Sequence, residues 1–236
     1  MPTQKHEEPL LPYVEQEPVY QSMLTDVPAD YLSTTALYPE WWTYPSMWQA
    51  AQARVALFLC PSDNAYANVQ GTLVTMQSLL YPGYIDIDAS FFSIGNGGDN
   101  LGRTNYVGVS GYAGLGAGSD GNAGPLANRS NVTLAQIASA DGASTTALFG
   151  EYLGDTNTSP RNYSASWMGV GALPTWPGLP TTPSTFTFGS MHPGIVQFCF
   201  CDGSVRSLRT GADYNNYLYA TGWMDGQIVD WSAIEN

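Results

Sequence analysis

The clearest alternation in the chain runs from Ile195 to Phe200, where Val196, Phe198 and Phe200 take every second position and Ile195, Gln197 and Cys199 take the others. A period of two puts the first set on one face of a β-strand, which is read as core, and the second set, continued by Cys201, on the other. Asp202-Gly203 follows, and strand-forming residues resume from Val205 to Leu208. The dipeptide predicts a hairpin closed by a two-residue type I′ turn, with Phe200 facing Val205. His192, Pro193 and Gly194 stand just before the strand, with nine residues between His192 and Asp202.

Elsewhere the periodicity is shorter. Thr104 to Val109, Thr145 to Tyr152 and Tyr163 to Val170 have strand composition, and Phe186 to Met191 leads into the hairpin. Leu10 to Gln16 reads as a short helix with Pro9 or Pro12 in its first turn, ended by Glu17-Pro18. Ser46 is placed to cap a helix running to Arg54, with an extended segment on to Cys60, and Leu134 to Ala138 and Asp213 to Ala220 predict two further helices. Thr25 to Pro45 is irregular and aromatic-rich, residues 93–130 are dense in Gly, Asn, Asp and Ser, and Pro174 to Pro183 is a Pro/Thr loop. The expectation is an α+β fold: an antiparallel β-sheet with short helices and long Gly/Asn/Pro-rich loops. Residues 1–8 are read as a tail and 9–236 as one globular domain.

Charge narrows the partners. The chain carries 7 basic against 20 acidic residues, a formal charge of -13, and Lys5 is its single lysine. Such a surface repels phosphate backbones and anionic headgroups, so neither nucleic acid nor membrane contact by these residues is expected. Only 11% of the residues are charged, so solubility must rest on Ser, Thr, Asn, Gly and Tyr, a balance suited to an extracytoplasmic setting.

Several segments together carry a resemblance. Leu10 to Gln16 is similar to an "LLPYxEQ" opening, Phe58 to Asp63 to an "xxCPSD" step, Asn105 to Gly108 to an "NYxGN" piece, and Ile137 to Glu151, with Asp141-Gly142 and Phe149-Gly150-Glu151, to an "IxDGTSNTxxFGE" segment. The histidine, nine residues and Asp-Gly of the hairpin, and then Tyr217 to Trp231, complete the order. In that order, from about residue 9 to 231, the chain resembles a planctomycete-type prepilin-like family catalogued as domain of unknown function 1559. The resemblance implies the globular head of a pilin-like or pseudopilin-like subunit, a non-enzymatic structural protein whose partners are further copies or other pilin-like subunits. It also implies a prepilin leader and an apolar helix of about 20 residues, which these residues do not contain, and a cysteine in that segment as the customary partner of Cys60. The motif residues to follow are His192, Gly194, Asp202, Gly203, Asp141, Gly142, Glu151 and Cys60.

The candidate chemistry is sparse. The Gly116, Gly118, Gly121 spacing satisfies the dinucleotide pattern, but Asn122-Ala123-Gly124-Pro125 cannot open the helix that would hold a pyrophosphate. Cys199 and Cys201 point the same way on one strand, too strained for a mutual disulfide, and a zinc site built on them would need two more ligands where only His6 and His192 exist as histidines. Free cysteines acting as small hydrophobes are expected. His192 could pair with Asp202 or Glu151 and hold the sheet end; as a general base it would need those two acids around one pocket. Calcium is the possible cofactor, on Asp86, Asp88, Asp99, Asp120 and Asn122, since hard cations take oxygen ligands from flexible loops. A carbohydrate- or solute-binding module is the alternative function, with Trp41, Trp42 and Trp176 stacking on a glycan.

Overall fold

The computed structural model describes residues 8–31, 38–76, 78–81, 84–86, 89–112, 122–127, 130–158 and 160–235, with backbone only for 8, 78–81 and 84–86. Two sheets of mixed direction dominate them, mostly antiparallel with two parallel pairs. The five-stranded sheet has the order β11-β10-β7-β6-β9, from β6 (Tyr106–Gly111), β7 (Ala147–Glu151), β9 (Ala172–Pro174), β10 (Ile195–Phe200) and β11 (Val205–Arg209). The four-stranded sheet has the order β4-β1-β8-β5, from β1 (Val69–Thr75), β4 (Ser90–Ser93), β5 (Arg103–Thr104) and β8 (Arg161–Ser166). A small ribbon pairs β2 (Ser78–Tyr81) with β3 (Tyr84–Asp86). The α+β expectation therefore holds, with a correction: β1 runs parallel to β8 and β6 parallel to β9, where only antiparallel pairing was foreseen.

The alternation in β10 survives in full. Val196, Phe198 and Phe200 are buried in one core with Val107, Val109, Leu173, Phe188 and Tyr217. The turn differs from the expectation. Cys199, not Phe200, pairs with Val205; the Phe200 N–H donates to Ser204 O at 2.8 Å and Gly203 N–H to Phe200 O at 2.9 Å. Gly203 has φ +84°, while Asp202 is absent from the positive-φ residues, so the loop has three residues with its left-handed position at glycine rather than a type I′ pair. The cause is local. Asp202 Oδ1 accepts from Ser204 N–H at 2.9 Å and from its hydroxyl at 2.6 Å, an Asx arrangement that spends one more residue in the turn.

A second core lies beneath the irregular N-terminal third. Leu11, Met23, Trp41, Met47, Phe58, Trp167 and Met168 are its buried members. β1 separates the two: Leu73 belongs to the first core and Val74 to the second. Both faces of the strand are thus covered, which is why it is a near-continuous buried run with no alternation in its sequence. Glu17-Pro18 does not end a helix but begins one. A 3₁₀ turn spans Glu8–Val14, and α1 (Glu17–Met23) then carries proline in its first turn, where the missing N–H is harmless. Likewise α2 (Pro45–Ala50) starts at Pro45, capped at Tyr44, and Ser46 instead donates its hydroxyl to Met23 O at 2.9 Å and bonds Asp26, tying α2 to α1. A 3₁₀ turn at Ala56–Phe58 replaces the extended stretch expected there.

The remaining helices follow the sequence closely. α3 (Leu134–Ser139) is closed by a capping box between Thr133 and Gln136, and Asp213 caps α4 (Tyr214–Thr221) by accepting from Asn216 N–H at 3.0 Å. Among the described residues no helix is long and apolar enough to cross a membrane.

Candidate functional site

Strand β7 ends at Glu151, and that position does most to build the site. Its neighbour across the ladder is β10, whose Gln197 N–H donates to Glu151 Oε2 at 2.7 Å. The carboxylate is 3% exposed, a costly burial that needs partners. Its other oxygen, Oε1, lies 3.2 Å from His192 Nε2. His192 is brought there by the corner preceding β10: its own N–H donates to Ser190 Oγ at 2.8 Å, Ser190 donates to Ile195 O at 3.0 Å, and Gly194 turns the chain with φ +73°.

Cys60 arrives from the other half of the molecule. Its N–H donates to Asn105 Oδ1 at 3.0 Å, and the Asn105 amide in turn donates to Asp63 Oδ2 at 2.7 Å. Asp63 is locked by Arg161, whose guanidinium meets both carboxylate oxygens, at 2.9 and 3.1 Å. That inward turn of Asn105 also explains why the predicted strand from Thr104 is split into β5 and β6. The Cys60 Sγ ends 3.7 Å from His192 Nε2. Burial, with the Glu151 charge behind it, raises the thiol above its ordinary value, and the Tyr106 phenol beside it is pushed up to about 12, by burial first and then by Cys60 and Glu151.

These side chains line an open, mainly apolar groove of ≈ 650 Å³. Leu10, Val14 and Leu57 form its N-terminal wall; Phe149, Cys199 and Val205 form the sheet wall. Five of the six segments that carried the family resemblance therefore meet at one place: Leu10, Cys60, Tyr106, Glu151 and His192 all border it, while Tyr217 to Trp231 does not.

The expected pairing of His192 resolves to Glu151. Asp202 is not in the site: it is exposed, turned to Ser204, and held below the ordinary carboxylate value by those hydrogen bonds. The trio of His192, Asp202 and Glu151 weighed for general-base chemistry is thus not assembled; Cys60 takes the third place, which the sequence concealed because its nearest partner in the group, Glu151, is ninety-one positions away. Both Glu151 and Cys60 approach the same imidazole nitrogen, whereas an acid–histidine–nucleophile relay uses the two ring nitrogens in turn. Among the described residues Cys60, Glu151 and His192 form the one group of three whose ligand atoms all lie within 4.8 Å of one another.

The other candidates scatter. Asp141 accepts from Asp225 N–H at 2.8 Å and Gly226 N–H at 3.0 Å and so pins the C-terminal segment, and Gly142 turns with φ +101°. Asp99 Oδ1 accepts from Gly95 N–H at 3.3 Å, closing its own loop, and Asn122 contributes its carbonyl to Tyr112 N–H at 2.9 Å. Asp88, Asp120 and the Gly116 to Gly121 spacing lie outside the described residues, as does the side chain of Asp86. The glycan-stacking reading is corrected for Trp41, which is fully buried and donates to Val74 O at 3.2 Å, while Trp42 is half-buried and packs edge-on against it and against Phe92. Trp176 does face solvent. Cys60, Cys199 and Cys201 are all free thiols; burial foremost raises both Cys199 and Cys201, the latter to about 12.

Comparison with known proteins bears on the resemblance. A family model described as SBP_bac_10, protein of unknown function (DUF1559), matches residues 4–178, about three quarters of the chain. That span takes in Cys60, Asn105 and Glu151 and stops short of His192 and the hairpin. No curated protein and no solved structure matches the chain.

Proposed function

Given that the chain belongs to the DUF1559 family, we propose that it is a non-catalytic, extracytoplasmic structural subunit, the head of a pilin-like or pseudopilin-like component, and that its groove takes an apolar segment of a neighbouring subunit in a surface assembly. The observation that carries this reading is the groove itself. Leu57 and Val205, on opposite walls, are 67% and 65% exposed. Apolar side chains left open around a concavity mark an interaction surface more often than a bare one.

Fractionation of the source cells, followed by cross-linking, tests the proposal. The protein is expected outside the cytoplasm in a large assembly, and Leu57→Asp and Val205→Asp should release it as smaller species while its fold is retained. Recovery as a dispersed cytoplasmic monomer would overturn the reading.

A further inference from the structure

We propose that Cys60, Glu151 and His192 form a binding site for a divalent transition-metal ion of the zinc class on the inner wall of the groove. Three kinds of observation on these residues agree. The first is distance. A tetrahedral zinc ion with bonds of about 2.0–2.3 Å sets neighbouring ligand atoms about 3.3–3.8 Å apart. Here Cys60 Sγ to His192 Nε2 is 3.7 Å and His192 Nε2 to Glu151 Oε1 is 3.2 Å, with all three atoms inside 4.8 Å.

The second is direction. One imidazole nitrogen, Nε2, faces both the sulfur and the carboxylate oxygen. A single N–H cannot serve two acceptors well, whereas a cation between the three groups satisfies all of them with the lone pair of Nε2.

The third is charge. Cys60 and Glu151 are both buried, and a thiolate with a carboxylate supplies two negative charges against the two positive charges of the ion, so the loaded site is neutral and suits an apolar wall. Soft sulfur with imidazole and one carboxylate favours zinc over calcium or magnesium. Binding breaks the S–H bond of Cys60 and forms the sulfur–metal bond, releasing that proton to solvent.

Support from neighbouring groups is already in place. Gln197 N–H holds the second oxygen of Glu151, Asn105 fixes the backbone of Cys60, and Ser190 fixes that of His192. Such outer contacts orient ligands before the ion arrives. A fourth ligand, water or a donor atom of a segment seated in the groove, would complete the shell.

The test uses the full chain, freed of metal by chelator dialysis under reducing conditions. Titration with cobalt(II) should give one equivalent of a tetrahedral spectrum with a sulfur-to-cobalt charge-transfer band, displaced by zinc. Cys60→Ser should remove the charge-transfer band, and Cys60→Ser, Glu151→Gln and His192→Gln should each weaken zinc binding by at least about 100-fold, the upper end of what losing an outer contact costs. In the unaltered protein, zinc should slow alkylation of Cys60 mapped by mass spectrometry while leaving Cys199 reactive, a readout that no folding defect can mimic. A cobalt spectrum without the sulfur band, or zinc that protects Cys199 and not Cys60, would overturn the site. The assembly reading stands or falls separately, because Leu57→Asp and Val205→Asp leave all three ligands in place.

Discussion

The two sides of the groove are built on different principles. The sheet side, β7, β10 and β11, is regular: residues alternate between core and groove, so Glu151, Gln197 and Cys199 face the groove because Gly150, Phe198 and Phe200 face away from it. Among the described residues the N-terminal side has almost no regular structure between Leu24 and Asn68 beyond α2 and two short 3₁₀ turns, and it is fixed instead by packed rings, with Trp41 stacked on Trp48 and Trp48 edge-on to Phe92. Hydrogen-bond ladders fix one wall; side-chain packing and a buried ion pair fix the other. A site at such a junction gains two rigid walls without the chain having to present all its polar groups from one element.

The strongest way to break this contrast is to empty each core in turn. Phe198→Ala and Trp41→Ala should each cost about 3–5 kcal/mol, the range for aromatic deletion in a packed interior, read as a shift in the midpoint of denaturant unfolding. A loss below about 1 kcal/mol for Trp41→Ala would fall within the range of surface substitutions and would mean that the irregular layer only lies on the surface.

Next comes the pair that anchors Cys60. Asp63 and Arg161 have side chains only 6% exposed, and Asp63→Ala leaves the guanidinium without its counter-charge. The expected loss is about 3 kcal/mol, at the low end for a broken buried pair, because Arg161 keeps its bond to Leu153 O at 3.0 Å. A milder change sharpens the regular side. Gly203→Ala meets open space but must adopt φ +84°, so it should cost about 1 kcal/mol from backbone conformation alone.

A further effect concerns pH. Burial, reinforced by neighbouring Asp141, raises Asp225 to about 6, above the ordinary value of 3.8. The folded state therefore binds the proton more tightly than the unfolded chain. That contribution is full below the unfolded value and is lost as the pH climbs through about 6. Thermal melts should show Asp225→Asn with a flatter dependence between pH 4 and 7 than the parent; equal slopes would refute the assignment.

Sequence reading succeeded where one face of an element is buried and the other is not. The Val196, Phe198, Phe200 set and the helices over Leu134 to Ala138 and Asp213 to Ala220 were visible because each depends on residues within a few positions. It failed for β1, covered on both faces, and for the type of turn at Gly203, set by a Ser204 contact that the dipeptide alone does not encode. The site was legible in parts. His192 has Glu151 as one of two candidate acids, the other being Asp202, and Cys60 stands out by its motif. Their union was not readable, since it depends on Asn105 turning inward to hold Cys60 and on Ser190 to aim His192.

The juxtaposition of Cys60 with His192, 132 positions apart, is the claim on which the groove, its walls and its metal chemistry all rest. Nuclear Overhauser spectroscopy on protein labelled selectively at cysteine and histidine measures it directly. Cross-peaks between the ring protons of His192 and the β-protons of Cys60 are the predicted result; a His192 ring whose cross-peaks run to other residues and none to Cys60 would contradict the account.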